Sequence, residues 1–338
     1  MIRIHSQKAM ALFLGLVMSL VGAAARADGA LGGPAVNRVH GALSVMVLGS
    51  GGPQVQASGR ASAGYLVFTD GQPRVLMDLG GGTFQRIAQS GAHIGAVDII
   101  LLSHLHIDHT ADLPAVVKGI YFDSRLQGNF RTAPVRIWGP ETDNPAFPSI
   151  EAYVDDLFKA GGVYGYLTAF VDGGGLGKFL LETHGISPLF TGDTVHTILD
   201  ENGLVIKEIA VDHFEAPAVA YRIEYKGHSI VYSGDTHSTT DNMVTLAQGA
   251  DLLIYDTSIL DNAPPAMSPF AKRHTTPTRL GQVAAMANPR ELVLSHLTPI
   301  TEPVVPDVKQ IIRNQGYMGK ISEAKDLKVY NVGWHDDD

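Results

Sequence analysis

Ser103-His104-Leu105-His106-Ile107-Asp108-His109 is the stretch whose reading decides the fold. Its His-x-His and Asp-His pairs place four metal-binding side chains within a few residues of one another. The run before it, Val97-Asp98-Ile99-Ile100-Leu101-Leu102, is apolar and β-branched and predicts a buried strand. The ligands therefore leave the C-terminal end of a strand, anchored on one side and open to solvent on the other. A His-x-His pair on an irregular loop can direct both imidazoles at one cation. The Asp-His pair that follows can turn toward a second. Neutral imidazole and carboxylate suit Zn²⁺ or a related divalent ion.

Outward from this stretch, composition narrows the field. The chain has 338 residues, a formal net charge of −9 and no cysteine. Without cysteine there are no disulfides, thiolate ligands or cysteine nucleophiles. The acidic balance repels polyanions on average, so a nucleic-acid partner is not expected. At the N-terminus, Arg3 and Lys8 precede an apolar run from Ala9 to Val21, and Ala25-Arg26-Ala27 forms a small-x-small site. Residues 1–27 therefore read as a secretory signal peptide, which predicts a periplasmic or secreted protein with no membrane span after cleavage. Residues 28–338 then form a single domain.

Strand and helix patterns alternate along both halves. Leu43–Leu48 predicts a strand, and Tyr65–Thr69 with Arg74–Met77 a hairpin about Asp70-Gly71. Helices are expected near 83–89, 111–119 and 151–160, with a strand at 135–138. The second half returns to strands at 204–211, 218–224, 229–232, 252–255 and 291–294. Between the last two, Thr276 and Pro277 predict a helix start, and Asn288-Pro289 its end. The pattern is that of two packed mixed sheets with helices outside. Residues 141–203 concentrate glycines and aromatics and read either as a lid or substrate-binding insertion, or as ordinary satellite core or a dimer surface.

Further candidates sit at strand ends: Asp78 in Met77-Asp78-Leu79, His213 after Val211-Asp212, Asp235 in Ser233-Gly234-Asp235-Thr236, and His296 after Leu294-Ser295. In this order the chain resembles the metallo-β-lactamase superfamily of binuclear metal hydrolases. Around Tyr221-Arg222-Ile223 and Ser233–Thr236 it resembles the ribonuclease Z and arylsulfatase-like branch. The resemblance implies an α/β fold, a four-layer αβ/βα sandwich of two mixed β-sheets flanked by helices. It implies two divalent ions, Zn²⁺ by default with Mn²⁺ or iron as alternatives. One would be held by His104, His106 and His213, the other by Asp108, His109 and His296, with Asp235 bridging and Asp78 buttressing the ligand loop. It also places catalytic roles on Asp108, His274 and Asp256. His274 would protonate the leaving oxygen while Asp256 orients it. In that branch a glutamate usually stands where this chain has Asp256.

These readings together predict an exported hydrolase in which a metal-bridging hydroxide attacks a phosphodiester or aryl sulfate ester of a small molecule. The alternatives are a lactone or carboxylic ester hydrolase of the same fold, a tRNA 3′-processing-type endoribonuclease, and a metal-dependent binding protein with a vestigial site. A homodimer is what the resemblance implies.

Overall fold

The structure is a computed structural model. It describes residues 33–126, 131, 133–142, 144–174, 179–187, 194–263 and 267–333. The segment read as a signal peptide, residues 1–27, lies outside these.

Among the described residues fourteen strands form two sheets. The first has the order β14-β1-β2-β3-β4-β5-β6. Its strands are β1 (Leu43–Gly49), β2 (Gly64–Thr69), β3 (Gln72–Leu79), β4 (Ile99–Leu101), β5 (Val135–Pro140), β6 (Leu181–Ile186) and β14 (Val329–Val332). The second has the order β13-β12-β11-β10-β9-β8-β7. It comprises β7 (His196–Glu201), β8 (Leu204–His213), β9 (Ala216–Tyr225), β10 (His228–Tyr232), β11 (Leu252–Asp256), β12 (Glu291–Ser295) and β13 (Lys320–Glu323). In each sheet four neighbouring strands run parallel, β3 to β6 and β10 to β13, and the others pair antiparallel.

The period-2 alternation of apolar residues sorts the side chains into layers. Val45 and Val47 of β1 and Tyr65 and Val67 of β2 meet Tyr221, Ile223 and Ile254 in a core between the sheets. Met46, Leu48, Leu66 and Phe68 point the other way, onto Val116, Val117 and Ile120 of the helix Leu113–Leu126. On the second sheet, Leu253, Tyr255 and Leu292 face Leu280, Val283 and Ala284 of the helix Pro277–Ala287. The result is the expected four-layer αβ/βα sandwich. Each large apolar side chain so buried contributes about 1.5–3 kcal/mol.

Local signals set the connections. Asp70 and Gly71 take φ 48° and 76°, the doubly left-handed pair that a two-residue hairpin loop requires. Thr276 caps its helix by accepting from Arg279 N, with Pro277 in the first turn and Asn288 left-handed at the end. One element differs from expectation, and one open alternative is decided. Asp108 and His109 sit on a helical turn, Ile107–Thr110, rather than on irregular loop, because the His109 amide donates to His106 O and Ala111 to Ile107 O. Much of 141–203 is scaffold rather than lid: β6 and β7 close one edge of each sheet, and Phe158, Phe170 and Phe179 are buried in the helix–sheet core. Aromatic residues pack equally well in a core and in a binding loop, so composition alone does not separate the two.

Gly80 holds the first half of the site against the sheet. A methyl group there would stand 2.0 Å from the Asp108 carbonyl oxygen, so the turn bearing Asp108 and His109 rests directly on Gly80. Gly80→Ala is expected to destabilise the fold by about 1–3 kcal/mol through overpacking, read as a lowered thermal midpoint. An unchanged midpoint would show that the turn is free to retreat.

Candidate metal centre

All of the singled-out residues lie at one end of the sandwich, where parallel strands finish. Asp78 is at the end of β3, His104 to His109 follow β4, and His213 ends β8. Asp235 follows β10, Asp256 ends β11, and His296 follows β12. Asp78 and His296 both take positive φ, 53° and 56°, a conformation that Asp and His tolerate better than most residues.

Two groups of donors converge, each within 4.8 Å of its own members: His104, His106 and His213, and Asp108, His109, Asp235 and His296. In the first, His106 Nδ1 lies 3.0 Å from His104 Nε2 and 3.2 Å from His213 Nε2. In the second, His296 Nε2 lies 3.1 Å from His109 Nε2 and 3.3 Å from Asp108 Oδ2. Asp235 stands between them. Its Oδ2 is 3.9 Å from His104 Nε2, 3.8 Å from His213 Nε2 and 3.4 Å from His109 Nε2, and its Oδ1 is 3.3 Å from His296 Nε2.

The ring protons are assigned by what lies behind each imidazole. His109 Nδ1 donates to Asp78 Oδ2 at 2.7 Å, and His213 Nδ1 to Arg273 O at 2.8 Å. His296 Nδ1 lies 2.6 Å from Ser258 Oγ, whose own proton goes to Asp256 Oδ1. His104 Nδ1 lies 3.0 Å from Ser103 Oγ, which donates to Asp78 Oδ2 at 2.7 Å. With Nδ1 carrying the proton in these four rings, their Nε2 atoms face inward, His109 Nε2 toward His296 Nε2, while His106 turns its Nδ1 to the Nε2 atoms of His104 and His213. Lone pairs about 3 Å apart in a buried site repel unless a cation lies among them. Asp235 Oδ1 is buried and has no hydrogen-bond partner. Both features fit divalent ions, and the outer partners are of the kind that fix a ligating imidazole's tautomer.

The two groups differ electrostatically. Burial pushes His104, His106 and His213 down, His213 to about 4, which leaves these imidazoles neutral and ready to ligate. Burial also opposes charge on His109 and His296, but the Asp235 carboxylate, with Asp108 beside it, holds both above the ordinary histidine value. Burial likewise works against Asp108, yet His109 and His296 pull it down to about 2.

Beside both groups, His274 Nδ1 is 2.7 Å from Asp256 Oδ2 and 3.9 Å from Asp235 Oδ2. One methylene shorter than glutamate, Asp256 still reaches the ring. Asp78 accepts from Ser103 N, Ser103 Oγ, Tyr232 OH and His109 Nδ1, so it braces the ligand turn from behind. Sequence reading missed Ser103, Tyr232 and Ser258 as supports. The available signal was their position, each within three residues of a ligand or of Asp256.

Comparison with known proteins follows the same line. The family model described as the beta-lactamase superfamily domain matches residues 172–297, which carry His213, Asp235, Asp256, His274 and His296. An uncharacterized protein of Mycobacterium leprae is 31% identical over 278 residues, covering 79% of this chain and 82% of its own. The chain belongs to the metallo-β-lactamase superfamily. It is a metal-dependent hydrolase of that fold, and its clustered histidines and aspartates point to divalent ions. A ribonuclease Z of Mycobacterium marinum is 28% identical over 299 residues, covering 86% of this chain and 99% of its own. The solved human tRNase Z, short form, shares the fold with a TM-score of 0.63 at 21% identity, over 86% of this chain and 100% of that one.

These relatives correct two expectations. Nucleic acid is not an unlikely partner, since relatives that align along most of their length are named for RNA. Net charge is an average over the surface and says little about the mouth of one site. The expectation of a periplasmic or secreted protein is overturned by the same relatives, which are named ribonuclease Z and align along most of this chain. That expectation rested on residues 1–27 alone, and a charged, apolar and small-residue succession is a pattern of composition rather than of fold. Among the described residues no helix is long and apolar enough to cross a membrane.

Asp78→Asn keeps the shape but loses acceptor capacity for four donors. It is expected to weaken metal affinity roughly 10–100-fold, measured by calorimetric titration of the stripped protein. Metal content should also fall in two steps as pH is lowered. Protons return first to His109 and His296, whose affinity for them is raised, and to the His104, His106 and His213 group only toward the lower values set by burial. Elemental analysis of samples dialysed across pH 4–8 reads this directly, and simultaneous loss of both ions would refute the ordering.

Proposed function

We propose that this protein hydrolyses phosphodiester bonds in RNA, as a 3′-processing endoribonuclease of the ribonuclease Z type. The observation that carries the proposal is the His274–Asp256 pair, held 2.7 Å apart against the buried Asp235. A phenolate leaves an aryl sulfate without help, whereas a ribose oxygen is a poor leaving group that needs a proton. A positioned donor beside the hydrolytic centre therefore favours a sugar phosphodiester over an aryl sulfate. The ribonuclease Z relatives support the same reading.

In this proposal His104, His106 and His213 would hold one ion and Asp108, His109 and His296 the other, with Asp235 placed between the two donor groups. Imidazole and carboxylate donors suit Zn²⁺, with Mn²⁺ or iron as alternatives. When bound, the ions supply the Lewis acidity that makes water a nucleophile near neutral pH and offsets phosphoryl charge. Asp235 keeps the two donor groups in register, and Asp78 holds His109 through its Nδ1. Asp256 accepts from His274 Nδ1 and orients the ring, leaving Nε2 to give its proton to the departing ribose oxygen. Phe270 packs on the same ring at 4.1 Å between centroids and limits its rotation.

The test compares a precursor tRNA with a 3′ extension, bis(p-nitrophenyl) phosphate and p-nitrophenyl sulfate. Cleavage of both phosphodiesters is expected, and both should be abolished in Asp235→Ala. His274→Ala should slow RNA cleavage roughly 10²–10⁴-fold while the nitrophenyl phosphodiester, whose leaving group needs no proton, loses far less. Equal losses on the two would remove the proton-donor role. Dominant cleavage of the sulfate would replace the RNA reading.

A further inference from the structure

At the rim of the metal centre, one residue departs from what its backbone position favours. His213 pairs with Ala216 across β8 and β9, so Phe214 and Glu215 alone make the loop. Phe214 takes φ 58°. A two-residue hairpin loop that is left-handed at its first residue normally carries glycine there. A bulky side chain in that conformation is strained, and such strain is found where a site requires it. Packing does not explain the choice, because Phe214 is 58% exposed.

Cations surround the ring. Lys272 Nζ lies 5.7 Å and Arg273 Cζ 5.2 Å from its centroid. Arg273 is engaged with Glu215 and its carbonyl accepts from His213 Nδ1. Lys272 is exposed and makes no ion pair among the described residues. The ring and the uncommitted cation thus stand together beside His213, and His274 follows Arg273 in the chain.

Resting on the RNA phosphodiester reading, we propose that Phe214 and Lys272 form a substrate subsite. One base of the RNA stacks on the exposed face of Phe214, and Lys272 pairs with a neighbouring phosphate. An aromatic platform with an adjacent cation is how single strands are held without base readout. The strained turn then has a reason: it lifts an aromatic ring to the rim, immediately next to a residue of the metal centre.

Phe214→Gly separates this from a structural role. Glycine suits the turn, so the thermal midpoint should stay level or rise. Binding of a fluorescent single-stranded RNA with hydrolysis-resistant phosphorothioate linkages, followed by anisotropy on the metal-loaded protein, should weaken roughly 10-fold. On cleavable RNA the loss should appear in KM more than in kcat. Phe214→Trp should restore binding, and Lys272→Ala should weaken it and flatten its salt dependence. Undiminished binding by Phe214→Gly, failure of Trp to rescue, or a lowered midpoint in the glycine variant would each overturn the subsite. Turnover of bis(p-nitrophenyl) phosphate by the native protein is measured in parallel. If that ester is cleaved while RNA binding ignores Phe214, the subsite falls and the phosphodiester reading stands. If it is not cleaved, that reading falls and the subsite with it.

Discussion

Imidazole lone pairs facing one another across about 3 Å in a dry interior are the constraint on which the rest of this structure depends. Left alone they repel, and they are tolerable only around positive charge. Four of the five rings are therefore locked from behind. Asp78 fixes His109, the Arg273 carbonyl fixes His213, Ser258 fixes His296, and Ser103 fixes His104. The locks decide which nitrogen faces inward, and so they decide that the centre presents ligands rather than donors.

This requirement shapes the backbone around it. The parallel strands of both sheets finish at the same end, which lets residues far apart in the chain meet without long loops. Left-handed residues at Asp78 and His296 turn the chain sharply at the end of a strand. Gly80 is bare because the turn carrying Asp108 and His109 lies on top of it. Substitution away from the ligands can therefore still disturb the donor geometry, through the packing that holds each turn in place.

Charge acts on two scales here. Over the whole chain acidic residues outnumber basic ones, 34 to 25. At the rim of the metal centre Lys272 stands exposed beside Phe214, while Arg273 is paired with Glu215. A polyanion approaching that rim meets the local field at short range, since screening confines the influence of distant surface charges to about 10 Å at ordinary ionic strength. The same chain can thus be acidic on average and still receive a phosphate backbone at one place.

Much of the architecture was legible from residues alone. Alternation in Leu43–Leu48 and the helical spacing of Leu280, Val283, Ala284 and Ala287 follow from local periods, and both elements formed where those periods lie. His104 to His109 stood out as candidate ligands by residue type at close spacing, and Asp78, His213, Asp235 and His296 as candidates by their place at strand ends. Tertiary structure alone decided the rest. It set the edge-strand roles of residues 181–186 and 196–201, the support from Tyr232 and Ser258, the reach of Asp256 to His274, and the exposed ring of Phe214. The division has one physical reason. Secondary structure and ligand chemistry depend on neighbours a few residues away, whereas contacts between residues such as Tyr232 and Asp78, 154 apart, exist only once two sheets have packed.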